Sequence, residues 1–194
     1  MPHLPLVLAS SSPYRRELLG RLRLPFLHAS PNIDESPLPG ENISELVQRL
    51  SRAKAEALAG KHPAALIIGS DQAALLHGEV LGKPGSHERA LTQLQAASGQ
   101  TIYFHTGLCL LNTASGQCQL VEEVYGVRFR ELHAEEIERY LRAEQPYDCA
   151  GSFKAEGLGI SLFEGFAGRD GSSLIGLPLI ALCGMLRNEG LLLP

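Results

Sequence analysis

No C-x-x-C pair occurs in the chain, and its four cysteines, Cys109, Cys118, Cys149 and Cys183, are widely spaced. Neither a zinc knuckle nor a C-x-x-C redox motif is therefore suggested, and the cysteines read as buried thiols of a reducing compartment. No apolar run approaches the roughly 18 residues that would span a bilayer. The first residues lack a basic start followed by a long apolar region and a small-residue cleavage site, so a cytoplasmic protein without membrane association is expected. Positive charge is not in excess: 17 Lys and Arg stand against 21 Asp and Glu, a net charge of -4. That balance argues against a surface that wraps long nucleic acid and gives each basic residue a local meaning. A G-x-x-x-x-G-K-[ST] loop is missing, which excludes a Walker-type nucleotide site. Internal repeats and low-complexity tracts are missing too. At 194 residues the chain is long enough for one domain, or two small lobes, with a sizeable core and no disulfide staples.

What is present begins with the stretch from Leu4 to Leu19. The apolar run Leu4 to Leu8 reads as a buried strand, and Ser12-Pro13 supplies an N-cap and a first-turn proline, so a helix starts at Ser12 or Pro13. Arg15 and Arg16 then fall in the first turn, where the helix dipole and unpaired N–H groups disfavour cations by a few tenths of a kcal/mol each. An anion would reverse that penalty. Strand, serine-rich turn and helix start with guanidinium groups beside them form a phosphate-site pattern; the alternative is a pair of solvated surface arginines.

Residues 30–40 read as a polar, proline-bearing loop holding Asp34 and Glu35. Asn42 and Glu45 form a capping-box pattern ahead of a helix whose apolar stripe includes Ile43, Val47 and Leu50. Lys54 lies inside that stripe and must either snorkel or meet an anion. Ala64 to Ile68 reads as a central strand delivering Gly69-Ser-Asp-Gln72 at its carboxyl end, which places Asp71 at an active-site edge. A hairpin around His77-Gly78 joins Ala73–Leu76 to Glu79–Leu81 and leads to a turn at Lys83-Pro84. Ser86 caps a helix through Ala97, stopped by Gly99; residues 101–111 and 119–130 form an antiparallel pair in a mixed sheet; and a helix covers 134–142. Residues 149–159 are glycine-rich with Lys154 and Glu156 embedded, and Gly176-Leu-Pro178 opens a final helix ending near Gly190. His77 and His105 have no ligand-like neighbours and read as structural.

Two acids, Glu35 and Asp71, with Arg15, Arg16, Lys54 and Lys83, and no nucleophile pair, fit metal-assisted hydrolysis of a polyphosphate better than acyl transfer. These residues also carry a family likeness. SSSPYRRELL, the NIDE loop, Arg52-Ala-Lys-Ala55, IIGSDQ, LGKP, Ala97-Ser-Gly99 and GLPLIAL, spread from about Leu4 to Leu186, resemble the Maf nucleotide pyrophosphatases. Within them, Gln72 and the stretch Cys149 to Gly157 are similar to the branch acting on 7-methyl-GTP. The dTTP/UTP branch typically has arginine, threonine and glutamine where this chain has Tyr14, Gln72 and Glu156.

The resemblance implies a single ITPase-like α/β domain over residues 1–194, with an elongated mixed sheet flanked by helices and two lobes about a central cleft. It implies cleavage of a nucleoside triphosphate to the monophosphate and pyrophosphate with Mg²⁺ or Mn²⁺, and a symmetric dimer. Arg15, Arg16, Lys54 and Lys83 would neutralise the triphosphate, and Ser10 and Ser12 would add hydroxyl or backbone donors. Glu35 would ligate the metal. Asp71 would deprotonate or orient the attacking water, or join Glu35 as a ligand, since a carboxylate of ordinary acidity is a weak base at neutral pH unless the metal polarises the water. Because N7-methylation makes guanine cationic, Tyr14 would stack on the base with roughly 0.5 to 2 kcal/mol of cation-π energy. Glu156 would accept from N1–H and the exocyclic amine, and Gln72 would complete the polar edge. That branch more often has tryptophan where this chain has Tyr14, which softens the expected preference. The alternatives are dTTP/UTP or broader non-standard nucleotides as substrates, and a nucleotide-sensing regulator of septum formation.

Overall fold

Leu6–Ala9 is buried at all four positions, as an apolar strand with neighbours on both edges should be. The computed structural model describes residues 4–194, so the first three residues of the expected 1–194 domain lie outside the described part. Its elements are β1 (Leu6–Ala9), α1 (Pro13–Gly20), β2 (Phe26–Ala29), α2 (Ile43–Ala59), β3 (Leu66–Leu76), β4 (Glu79–Leu81), α3 (His87–Ala97), β5 (Thr101–Asn112), β6 (Cys118–Phe129), α4 (Ala134–Glu144), β7 (Phe163–Ala167), α5 (Gly171–Ile175) and α6 (Leu179–Asn188). The sheet has seven strands in the order β2-β1-β3-β5-β6-β7, with β4 paired to β3. β1 runs parallel to β2 and β3, whereas β4 and β7 are antiparallel to their partners. The expected mixed α/β sheet flanked by helices is what forms.

The chain divides into two compact units: Met1–Gln72 with Thr106–Glu123 and Asp170–Pro194, and Ala73–His105 with Val124–Arg169. In the first unit the strand alternation separates two cores. Val7, Ala9, Ile67, Cys109 and Leu111 pack with Ala55 and Leu58 of α2 on one face. Leu6, Leu8, Leu66, Ile68, Leu108 and Leu110 pack on the other with Leu18 and Leu19 of α1 and Leu182, Met185 and Leu186 of α6. In the second unit Phe104, Phe129, Phe153 and Phe163 form edge-to-face pairs with ring centroids 4.9 to 5.4 Å apart. Such pairs add about 0.5 to 1.5 kcal/mol each beyond their area.

Local signals hold where they are chemical. Ser12 caps α1, and Asn42 and Glu45 form the reciprocal capping box of α2. His77 and Gly78, at φ 51° and 85°, make the hairpin turn in which Leu76 pairs with Glu79. The expectation that a strand ends before Gly69-Ser-Asp-Gln72 is corrected: β3 runs unbroken through these residues to Leu76. It is β1 that stops, at Ala9 opposite Gly69, so the sheet steps down beside a continuing strand. β2, β7 and α5 were not expected; they have only 4, 5 and 5 residues, and two of them lack a fully buried position in the strand.

Candidate functional site

Two glycines bring α2 onto the sheet. A Cβ on Gly69 would sit 2.0 Å from the Ser51 carbonyl oxygen, and one on Gly107 would sit 2.3 Å from that of Val47 and 2.5 Å from Ser51 Oγ. With no side chains in the way, Ser51 Oγ donates to Val47 O at 2.6 Å and accepts the Asp71 N–H at 2.9 Å. Lys54, about one helical turn further along α2, reaches Asp71 Oδ1 at 2.6 Å and Glu35 Oε1 at 2.9 Å. Its ammonium is buried, as is Asp71, while the Glu35 side chain is 57% exposed. Of the two fates open to a lysine in an apolar stripe, Lys54 meets anions.

Glu35 comes from the loop 30–40, which α2 also holds. Arg49 grips Glu41 through Nε at 2.5 Å and Nη2 at 2.8 Å, and Nη2 donates to Ser36 O at 3.1 Å. Glu41 Oε2 accepts the Leu38 N–H at 3.0 Å. The Arg49 fork pulls the Glu41 carboxyl down to about 2.

The serine turn is ordered from within. Ser12 N–H donates to Ser10 Oγ at 3.1 Å, and Ser12 Oγ accepts the Arg15 N–H at 3.4 Å. Each hydroxyl oxygen thus acts as an acceptor toward its own backbone, and its O–H hydrogen remains a donor. Arg15 Nε donates to Gly176 O at 2.7 Å, and Ser70 Oγ donates to the same carbonyl at 3.0 Å and to Gly107 O at 2.8 Å. Burial lowers the Arg15 guanidinium from its ordinary range, against the pull of Asp71 and Glu35, so this arginine lies within the field of both acids. Arg16 takes another direction: it is exposed, with Nη1 3.5 Å from His28 Nε2. Tyr14 is half-buried in the first turn of α1.

Gln72 faces α5. Its Nε2 lies 2.7 Å from Ser173 O, 3.0 Å from Thr106 Oγ1 and 3.1 Å from Leu174 O. The amide hydrogens are committed to holding that short helix. Lys83 and Glu156 belong to the second unit. Lys83 is exposed in the turn after β4, where Gly85, at φ 69°, donates to Tyr147 O at 3.0 Å. Glu156 is exposed in the turn before the 3-10 segment Leu158–Leu162, and its charge adds to the burial that raises the Tyr140 and Cys149 groups, Cys149 to about 12.

Sequence reasoning missed the residues that set the site from behind. Besides Ser51 and Ser70, buried Asp170 accepts from Ser172 N and Oγ at 2.9 and 2.5 Å and from the Ile180 N–H at 2.7 Å, joining α5 to the start of α6. Asp170-Gly-Ser-Ser is an N-cap pattern and could have been read as one. Among the described residues there is no group of three or more His, Cys, Asp and Glu placed to hold a metal ion. Glu35 and Asp71 converge on one cation, the Lys54 ammonium, and are hard oxygen donors of the kind that could hold a divalent cation.

The family described as Maf-like protein matches residues 5–189. A protein of Pseudomonas putida named 7-methyl-GTP pyrophosphatase is 63% identical over 191 residues, covering 98% of this chain and 100% of the relative. One of the same name from Nitrosococcus oceani is 56% identical, covering 95% of this chain and 93% of the relative. A HAM1 protein structure from Coxiella burnetii superposes with a TM-score of 0.50 at 13% identity, covering 95% of this chain and 99% of that one, a likeness of fold.

Proposed function

Because the chain belongs to the Maf-like protein family, we propose that it hydrolyses 7-methyl-GTP to 7-methyl-GMP and pyrophosphate, the activity for which its 63%-identical relative is named, and so clears a modified nucleotide. The observation that carries the reading is the buried Lys54 ammonium between Asp71 and Glu35, with Arg15 in the same field. A divalent cation held by Glu35, Asp71 and the substrate's phosphates would supply Lewis-acid polarisation. Lys54 and Arg15 bind phosphate oxygens and offset charge that grows on the departing pyrophosphate. Arg15 gains more from an anion than a fully solvated arginine would, because part of its hydration is already lost. Asp71 takes a proton from the attacking water, whose oxygen forms the new bond to the α-phosphorus as the α–β bridge breaks. Ser10 and Ser12 donate their hydroxyl hydrogens, and Arg16 and Lys83 add charge from exposed positions. Tyr14, Gln72 Oε1 and Glu156 select the cationic methylated base. The two units act as one functional domain, in the cytoplasm and as a symmetric dimer.

A nucleotide panel with Mg²⁺ or Mn²⁺ tests the substrate, with 7-methyl-GTP expected to be turned over fastest; a preference for dTTP or UTP would remove the specificity claim alone. Asp71→Asn is expected to lower kcat at least ~100-fold while calorimetry shows nucleotide affinity within a few-fold of the parent. An unchanged kcat would remove Asp71 from the reaction.

A further inference from the structure

Cys109 and Cys118, nine residues apart and far from any sequence motif, meet: their sulfur atoms are 3.3 Å apart, and both are free thiols. The β5–β6 turn brings them together, with Asn112 N–H donating to Gln117 O at 2.8 Å and Gly116 N–H to Asn112 O at 2.8 Å. Cys109 is fully buried in the cluster beneath α2, and Cys118, half-buried, packs at its margin. Arg52 and Glu56 of α2, themselves paired at 2.7 Å, act on Cys109 with opposite signs.

We propose that Cys109 and Cys118 form an oxidisable pair that closes to a disulfide when a peroxide reaches Cys118, a modification site separate from the phosphate-binding residues. Cys118 is the entry point because it is the more exposed of the two. Burial raises the Cys109 thiol, which disfavours it as the first nucleophile. The Cys118 thiol gives up its proton, its sulfur attacks one peroxide oxygen, the O–O bond breaks, and the other oxygen leaves as hydroxide that takes up that proton to become water, giving the sulfenic acid. Cys109 sulfur then attacks Cys118 sulfur; the S–S bond forms, the S–O bond breaks, and the Cys109 proton leaves with the second water. Two thiols and one hydrogen peroxide become one disulfide and two waters. The sulfurs must close from 3.3 Å to about 2.05 Å, a displacement of side chains within an existing contact. This inference does not depend on the pyrophosphatase reading.

The folded protein is treated with equimolar hydrogen peroxide, quenched in acid, alkylated under denaturing conditions and mapped by mass spectrometry without reductant. The expected product has lost the mass of two hydrogens, carries a Cys109–Cys118 bridge, leaves Cys149 and Cys183 alkylated, and recovers all four labelled thiols after dithiothreitol. In Cys118→Ser, Cys109 is expected to stay reduced; in Cys109→Ser, Cys118 is expected to stop at the sulfenic acid with equimolar peroxide and to pass on to the sulfinic acid when a second equivalent is added. An unbridged, over-oxidised Cys118 in the parent protein, or a bridge that forms only after unfolding, overturns the proposal. Mapping of the parent decides the matter even where a serine variant folds poorly.

Discussion

Lys54 shows how much depends on where a charge is buried. Its two partners lie at nearly equal distances, 2.6 Å for Asp71 and 2.9 Å for Glu35, but Asp71 is buried and Glu35 is exposed. Breaking the buried pair leaves an uncompensated carboxylate, whereas the exposed partner is already screened by water. Lys54→Met is therefore expected to lower unfolding free energy by about 3 kcal/mol, and Glu35→Gln by less than about 1 kcal/mol, both read from urea midpoints. Equal losses would show that burial is not what sets the strength of the cluster. The sequence placed Lys54 on an apolar face and so posed the question of its partner. It could not name Asp71 as that partner, because the pairing depends on glycines that let α2 approach the sheet. Ser51 was missed for the same reason: a serine in a helix acquires its role only when the Asp71 N–H arrives 20 residues later.

At the scale of elements, α2 is the organiser. It carries Lys54 and Ser51 toward β3 and uses Arg49 to hold the Glu35 loop. The Glu41 carboxyl, held at about 2 against an ordinary 4.5, adds stability that is complete above 4.5 and is lost as pH falls toward 2. Glu41→Gln should flatten the fall in urea midpoint across that acid range and leave the slope above pH 5 as it was. Gly69→Ala drives a methyl into the Ser51 carbonyl, a backbone atom that cannot swing aside. A loss of about 3 kcal/mol or more, or failure to fold, is expected. Gly60→Ala, which meets nothing within 4 Å, should fall within about 1 kcal/mol of the parent. Caps and the His77-Gly78 turn were legible because side chain and backbone lie within a few residues of each other. The run through Gly69-Ser-Asp-Gln72 reads in the sequence as a strand end because its polar side chains find their partners far away in the chain: Lys54, Gly107, Ser173 and Gly176.

For the whole molecule, the informative fact is that β3, β5 and β6 each pass from one unit into the other without interruption. Four of the five tyrosines lie in the second unit and only Tyr14 in the first, and the chain has no tryptophan. Tyrosine fluorescence therefore reports mainly one unit, while far-UV circular dichroism reports both. Coincident denaturant midpoints from the two signals are expected, since unwinding one unit frays strands that the other needs. Separated midpoints would mean the units fold independently. The alternation along β3 has a consequence for how this molecule can change over generations. Asp71 looks toward α2, while Ser70 and Gln72 look toward Gly176 and α5. Substitutions can remodel one side at a time and leave its opposite intact. Loss or gain of a single codon between Leu66 and Gly69 would present Gln72 or Ser70 to Lys54 and turn the acid toward α5, exchanging the two sides at once. A substitution in this strand is thus local in its effect, whereas a change in its length is not.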